Sequence, residues 1–333
     1  SSTRECVAVA LDPSIYDRAP PRPSRRARAL VRAPGPPFAV VLDLAVARGL
    51  PTTTQYIAAC ANPWPGALSV YNVRGFSLDP LLTLSASATI GETLETFAPG
   101  PVARFDRGNS LVVKLYAGEL SGAGDAFALD GRANAAVQGP DGAWEIIAFA
   151  EAELVARDTY RLSRLLRGLG GEEHLARRTV PAGAMFVLLD RAVAPLASGL
   201  ASVGTSMSLR VGPANRDFAD PSYIDLPAIP TSKAFMPLAP VHARAVAVES
   251  GIQISFMRRG RVDSDAWEPI DIPLGEDNEA YSIEIARPSG VPRAFASKTQ
   301  SALYAAADIA ADFVAAPTSL DLVIRQISAA VGP

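Results

Sequence analysis

The sequence is poor in the residues that carry most enzyme and metal chemistry. Its 333 residues include only two histidines, His174 and His242, and two cysteines, Cys6 and Cys60. A histidine-based metal site would need both histidines together with carboxylates, and we place the two in different domains. Two cysteines exclude a disulfide framework, and two reduced thiols are the more ordinary expectation than one bridge.

Several other patterns are also missing from the sequence. No G-x-S-x-G nucleophile elbow occurs, and no phosphate-binding or dinucleotide-binding glycine pattern follows a strand. The formal net charge is −3, so the basic surplus typical of nucleic-acid-binding proteins is absent. No run of about 18 uncharged apolar residues exists, and we expect no membrane-spanning segment. The chain opens at Ser1 without methionine, which suggests a fragment or a processed product.

What the chain does contain is proline and glycine, with 28 and 25 residues respectively. Hydrophobic residues make up 49% and charged residues 20%, a composition typical of globular proteins. Prolines spread along the whole chain disfavour long helices and favour short strands joined by many turns. The composition therefore predicts a mainly β protein.

Residues 143–168 give the clearest pattern, that of a β-hairpin. Alternating positions are apolar, and alternation of this kind is typical of a half-buried strand; the apolar positions are Trp144, Ile146, Ala148, Ala150, Ala152 and Leu154. Glu145, Glu151 and Glu153 fall on the opposite face, and polar residues 156–159 suit a turn. The leucines after residue 160 also fit a helical stripe. We prefer a strand, because Gly168 and the following glycines leave too little length for a stable helix.

Other short apolar segments predict further strands and turns. We expect strands at residues 6–11, 38–44, 55–61, 67–73, 110–116, 181–190 and 206–212, a hairpin at 129–135, and turns at 62–66, 106–109 and 139–142. Residues 18–28 are rich in proline and arginine and are interpreted as a linker. The alternative is a basic arm that binds an acidic partner.

The last hundred residues predict a separate domain. Residues 213–240 are irregular and punctuated by proline, which is typical of a domain boundary. Regularly spaced strands follow at 241–249, 251–258, 281–286, 291–297, 303–306 and 320–327, a spacing that favours a β-sandwich of the fibronectin type. We therefore divide the chain into 1–37, the end of a preceding domain with a linker, a β region at 38–235 with a further division near 100, and the sandwich at 236–333.

Two acidic clusters are the best candidates for chemistry. Glu172, Glu173 and His174 could act as acid and base, although clusters of this kind are usually solvated loop charges. Asp263 and Asp265 resemble a divalent-metal pair, but two aspartates without a third oxygen ligand bind calcium poorly. Hydrogen bonds to turn amides are the simpler role for Asp265. We therefore predict no catalytic, cofactor-binding or metal-binding residue.

A short basic strip, Arg258, Arg259 and Arg261, follows a predicted strand. We interpret it as charge on a solvated strand end, and the alternative is a contact between the sheet edge and an acidic neighbour. Trp64 stands between two prolines, which would fix it on a surface or in an interface. A sugar-binding aromatic is the alternative for Trp64.

A series of short blocks runs through nearly the whole chain in a fixed order. They lie at residues 9–16, 42–44, 62–66, 71, 88–91, 105–108, 129–134, 144–145 with 149–150, 160–162 with 165–168, 182–183, 187–190, 210–214, 240–242, 258–259, 261, 265–267, 273–276 and 281. In this order they resemble the C-terminal part of the large tail-tip hub protein of gene transfer agents and related long-tailed phages, sometimes called the megatron protein. Residues 169–172 and 45–48 depart from the family pattern.

The resemblance implies hub-type β-barrel or β-sandwich domains followed by a fibronectin type III-like sandwich. It also implies a structural role without enzymatic activity or cofactors, as a homotrimer in the tail tip or baseplate of a phage-like particle. The expected partners are other tail-tip and distal tail proteins and a host receptor, and the expected location is the virion, after assembly in the bacterial cytoplasm. The alternative function is a module that binds a cell-surface glycan or receptor through Trp64, Trp267 and Tyr71.

Overall fold

The computed structural model describes residues 2–10, 12, 34–45, 55–122, 124–131, 134–196, 200–260 and 273–332. The chain divides into two compact units, Ser1–Ala33 and Pro34–Pro333. In the first unit, residues 2–10 are exposed and have no regular secondary structure. The strand predicted at residues 6–11 is therefore wrong over its described part, because no partner strand pairs with it. The basic segment predicted at residues 18–28 lies outside the described residues.

The second unit is mainly β, as predicted. Its described strands are β1 (Phe38–Asp43), β2 (Gln55–Cys60), β3 (Leu68–Arg74), β4 (Ser77–Leu84), β5 (Ile90–Thr93), β6 (Leu111–Ala117), β7 (Asn134–Gln138), β8 (Trp144–Ala156), β9 (Thr159–Leu169), β10 (Met185–Leu188), β11 (Ala194–Pro195), β12 (Met207–Pro213), β13 (Ile224–Ala228), β14 (Val241–Val248), β15 (Gly251–Met257), β16 (Tyr281–Ile285), β17 (Arg293–Ser297), β18 (Ser301–Ala305) and β19 (Leu322–Gln326). The helices α1 (Gly124–Leu129) and α2 (Ala306–Asp312) are short, in keeping with the many prolines.

Six antiparallel strands close into a barrel in the order β10, β5, β6, β9, β8 and β7. Its interior is filled by apolar side chains, among them Phe97, Leu111, Phe149, Leu165 and Phe186. A small barrel of this kind is a packed core and not a channel, because inward side chains fill the space between opposite strands. Strands from both sides of residue 100 build this barrel, so the sheets do not divide at that point. The domain boundaries themselves stay predictions.

The hairpin predicted at 143–168 is formed by β8 and β9, with a tight turn at Arg157 and Asp158. Asp158 has a φ of 54°, a left-handed conformation that aspartate tolerates better than most residues. The predicted burial pattern is wrong in the first half of β8, where residues 144–150 are buried on both faces. One face of this half lines the barrel, and the other packs against a second group of buried apolar side chains outside it. Buried and exposed residues therefore do not alternate there. Leu154, predicted to be buried, is 62% exposed.

Two smaller sheets share a core beside the barrel. One has the order β1, β2 and β11, and the other has the order β13, β12, β3 and β4. Ile57, Leu68, Val70 and Leu209 lie between them. The strands predicted at 38–44, 55–61, 67–73 and 206–212 are confirmed.

Two predictions in this region are wrong. Residues 213–240 were expected to be irregular, but they contain β13, which pairs with β12. Residues 129–135 do not form a hairpin. Leu129 ends helix α1, Asp130 and Gly131 form a turn, and β7 begins at Asn134. The predicted turn is therefore present, but it lies between a helix and a strand instead of between two strands.

The C-terminal residues form the predicted β-sandwich. One sheet has the order β14, β15 and β18, and the other has the order β17, β16 and β19. Ile254, Tyr281, Ile283 and Tyr304 pack between them. All six predicted strands are confirmed. Helix α2, which follows β18, was not predicted.

Candidate functional site between barrel and sandwich

A glycine-rich corner ends strand β9 and begins the candidate site. Gly168, Gly170 and Gly171 have φ values of 62°, 73° and 94°, which glycine adopts without the steric cost of a Cβ. A Cβ on Gly168 would lie 2.7 Å from the Cα of Glu173. The glycines therefore allow the chain to turn back on itself and place the carboxylate of Glu172 beside the end of the barrel.

The segment that leads from β13 to the sandwich packs against this corner. Leu238 is so close to Gly171 that a Cβ on the glycine would lie 2.6 Å from its Cδ2 atom. Upstream, a short 3-10 helix at Lys233–Phe235 is preceded by Thr231, whose hydroxyl donates to Asp43 in β1 at 2.6 Å. These contacts hold the linking segment in place against strands from the first half of the chain.

A cavity of about 550 Å³ lies between the corner, the linking segment and the sandwich. Its wall is made by Ala45, Gly170, Gly171, Glu172, His174, Lys233, Ala234, Met236, Pro237, Leu238, Ala239, Gly260, Arg325 and Gln326. Most of these are apolar or glycine, with a few polar groups among them. A largely apolar concavity of this size with a few placed polar groups is typical of small-molecule sites.

The Glu172 carboxylate is the central charged group of the wall. Its side chain is 6% exposed, and its Oε1 atom lies 2.9 Å from the Nζ atom of Lys233. Its Oε2 atom lies 3.8 Å from Nε2 of His174, which is too long for a hydrogen bond, and no other described residue donates to it. The carboxylate is therefore neutralised by one cation and left with one unsatisfied oxygen.

Glu173 joins the barrel corner to the sandwich through an ion pair with Arg259. Arg259 also donates from Nε to the carbonyl oxygen of Ala239 at 2.8 Å. Burial alone would raise the pKa of the Glu173 carboxyl, but the hydrogen bond and charge of Arg259 lower it below its ordinary value. A general acid needs a raised pKa, so this pairing argues against Glu173 as a proton donor.

The structure thus places Glu172 and His174 in the cavity wall and pairs Glu173 with Arg259. The prediction of a solvated loop is wrong for Glu172, which is buried. Arg259, predicted to be on a solvated strand end, is instead bound to Glu173. Arg261, Asp263, Asp265 and Trp267 lie outside the described residues. Sequence reasoning missed Lys233 and Gln326, and no local pattern marks either of them.

A second buried charged cluster lies in the barrel wall. Arg167 donates to Glu145 from Nε and Nη2 at 2.6 and 2.8 Å, and its guanidinium lies 3.7 Å from the ring centroid of Phe97. Asp106 is 4.0 Å away and accepts hydrogen bonds from the amides of Gly108 and Asn109, each at 3.1 Å, as the predicted turn requires. The prediction that Glu145 is on a polar face is wrong. All charges here are paired, and the cluster is structural.

The aromatic residues proposed for glycan binding are engaged elsewhere or outside the described residues. Trp64 is partly buried against the core of the two small sheets. The ring of Tyr71 lies 6.4 Å from that of Tyr223. Trp64 and Tyr71 therefore pack within the protein and do not form a common open platform.

The described residues hold no group of three or more histidine, cysteine, aspartate or glutamate side chains arranged to bind a metal ion. None of the helices in the described ranges combines the length and the apolar character needed to cross a membrane.

Part of the chain is similar to a known protein family. No curated protein matches the chain. Residues 88–187 match the family described as Rcc01698-like, C-terminal. The matched residues begin just before β5 and end within β10, which are the first and last strands of the barrel along the chain. The similarity to the Rcc01698-like, C-terminal family therefore coincides with the closed barrel and its buried Arg167 cluster.

Proposed function

We propose that this chain is a structural component of the tail tip or baseplate hub of a phage-like particle, either a gene transfer agent or a long-tailed phage. The ordered sequence blocks described above support this proposal. In such a particle the chain would form a homotrimer around the tail axis and contact other tail-tip and distal tail proteins. It would take part in tail-tip assembly, host attachment and DNA delivery, without enzymatic activity and without reading a nucleic-acid sequence.

The structural observation that carries the proposed self-assembly is the exposed edge of strand β14. It is an edge strand of its sheet, and residues 242–248 are all exposed. Val246 is 58% and Val248 43% exposed. Charge and bulges usually protect edge strands, and β14 has both at its start, in Arg244 and in the shifted register between Val241 and Arg244. Residues 245–248 carry no charge, and an exposed apolar edge of this kind favours pairing with another chain.

A second open edge lies near the tip of the long hairpin, past Ala152, since Gly122 lies against β8 at residues 150–152. Strand β7 pairs with β8 only over residues 144–148, so beyond that point β8 is paired on one edge by β9 alone among the described strands. Leu154 and Val155 are 62% and 38% exposed there. Apolar side chains on a rigid hairpin are suited to assembly, because little conformational entropy is lost when the surface is covered.

Self-association is tested by light scattering after size exclusion at micromolar concentration. We expect a mass near three chains for the natural sequence. Val246→Lys should reduce the mass towards one chain, because the new charge would be desolvated in the paired edge. Leu303→Lys is the matched control, because Leu303 is 45% exposed on β18 at the opposite edge of the same sheet. A monomer at every concentration, with no effect of V246K, would contradict self-assembly through β14.

The place of the chain in a particle needs a separate experiment. Particles would be purified from the organism that encodes the chain and labelled with an antibody raised against residues 34–333. We expect the label at one end of the tail in electron micrographs. Particles that lack the chain, or carry it on the capsid, would contradict the proposed role.

A further inference from the structure

The cavity between barrel and sandwich contains two buried acceptor oxygens to which no described residue donates a hydrogen bond. One is Oε2 of Glu172 and the other is Oε1 of Gln326. The two residues are 4% and 3% exposed, and both are part of the cavity wall. A buried acceptor without a donor costs about 1–3 kcal/mol, so this wall is set up to receive hydrogen-bond donors from a bound molecule.

Both basic side chains, lysine and arginine, in the described wall of the cavity are already paired. Lys233 lies 2.9 Å from Glu172, and Arg325 lies 2.7 Å from Glu284. A charged ligand would therefore have to break an existing ion pair or bury an uncompensated charge, and both are costly. The wall favours a neutral ligand.

Hydroxyl groups fit this wall better than other neutral donors. A hydroxyl donates one hydrogen bond and accepts others, so it can donate to Glu172 or Gln326 and accept from the ammonium of Lys233. Met236, Pro237 and the other apolar residues can cover the carbon skeleton of the same molecule. The cavity volume of about 550 Å³ lies within the range of roughly 300–1,000 Å³ for small-molecule sites.

We infer that this cavity binds a neutral polyhydroxylated ligand of the size of a monosaccharide or disaccharide. Glu172 and Gln326 accept hydrogen bonds from its hydroxyl groups, and Lys233 donates one. The site is distinct from the open edges of β14 and β8 and does not depend on the proposed assembly.

Three sugars that share one ring and differ in charge test this inference. Glucose is neutral, glucosamine carries an ammonium group and glucuronate carries a carboxylate. Binding to the full chain would be measured by ligand-observed NMR titration, with maltose as the larger neutral probe. We expect saturable binding of glucose or maltose, and at least tenfold weaker binding of both charged sugars.

Two variants assign the binding to the cavity. Gln326→Leu removes one acceptor, and Ala239→Phe fills the space from an exposed position of the wall. Each should weaken binding at least tenfold. Asn72→Leu is the matched control, because Asn72 is also a 3% exposed amide with an unsatisfied oxygen, but it lies in β3 away from the cavity.

Three outcomes would overturn the inference. The first is the absence of saturable binding by either neutral sugar, which would leave the two acceptors to water only. The second is tighter binding of glucosamine or glucuronate than of glucose. The third is an equal loss of binding in N72L, or unchanged binding in both cavity variants, with folding of each variant checked by circular dichroism.

Discussion

Arg167 and Glu145 form a bidentate ion pair within the wall of the barrel, with side chains that are 0% and 2% exposed. The guanidinium also donates to the carbonyl oxygen of Ala98 at 3.0 Å, and Glu145 accepts from the amide of Gly168 at 3.1 Å. This pair links adjacent strands β8 and β9 to the loop that follows β5. It lies directly before the glycine corner that positions Glu172.

Removal of one partner of this pair should destabilise the barrel strongly. Glu145→Ala removes both close hydrogen bonds of the buried Arg167 guanidinium to a carboxylate and leaves only Asp106, at 4.0 Å, as its counter-charge, and we expect a loss of about 3–5 kcal/mol in the free energy of unfolding. Urea denaturation followed by tryptophan fluorescence would measure it, since Trp144 is adjacent. Glu153→Ala is the control, because its pair with Arg161 is exposed and should contribute at most about 1 kcal/mol. Equal losses in the two variants would contradict the structural role of the buried pair.

Replacement of Gly168 by alanine should destabilise the protein more than the same replacement of another glycine with a positive φ. Gly168→Ala and Gly183→Ala both place a side chain at positive φ, at 62° and 81°, which costs about 1–2 kcal/mol. Space remains around Gly183, whereas a Cβ on Gly168 would clash with the backbone of Glu173. We therefore expect a larger drop in melting temperature for G168A than for G183A, measured by calorimetry. A drop of the same size in both would show that the close approach is unimportant.

Asp312 should make the sandwich sensitive to acid. Arg293 hydrogen-bonds to its carboxylate, as do Tyr304 and Arg287, and together they hold the pKa of Asp312 far below its ordinary value. A carboxyl group whose pKa is lower in the folded state than in the unfolded state stabilises the folded protein. This stabilisation is complete above the unfolded-state pKa of 3.8, and it is lost as the pH falls from there towards the folded-state pKa. Asp312→Asn should therefore lower the melting temperature markedly at neutral pH.

The difference between Asp312→Asn and the natural chain should shrink at about pH 3. Asp308→Asn is the control, because Asp308 also contacts Arg293 but is 48% exposed. A melting-temperature difference for D312N that is the same at both pH values would contradict the proposed linkage.

The two thiols should differ greatly in reactivity. Cys6 is exposed and Cys60 is buried, and burial raises the pKa of the Cys60 thiol to about 11. The thiolate is the reactive form, so Cys60 is both inaccessible and protonated near neutral pH. We expect a thiol reagent to modify one cysteine per chain rapidly and the second only after denaturation. Rapid modification of Cys60, located by mass spectrometry, would contradict this burial.

The local sequence patterns predicted most strands well. The six strands of the sandwich and the hairpin of β8 and β9 follow from alternation and turn residues, which act within a few residues of one another. Neither of the short helices α1 and α2 was predicted. One error occurs where a correctly recognised turn joins elements other than the two strands that were predicted. Asp130 and Gly131 form a real turn, but it follows a helix.

The burial of charged residues could not be read from the same patterns. By alternation, Glu145 lies on the polar face of its strand. Only the tertiary structure shows that the barrel interior covers one face of β8 there and a second core covers the other. Its partner Arg167 lies 22 residues away, on the returning strand. A charged residue within an apolar strand was the available hint, but the sequence does not say which opposite charge meets it.

The sequence by itself determined the β architecture of the described residues, through alternation and turns, and the order of blocks on which the proposed role rests. Only the tertiary structure decided where the cavity lies and which residues form it. Glu173 and Arg259 are 86 residues apart, and Glu172 comes from the middle of the unit whereas Gln326 comes from its C-terminal end. Local chemistry fixes strands and turns, whereas the pairing of distant charges and acceptors depends on how the barrel and the sandwich pack together.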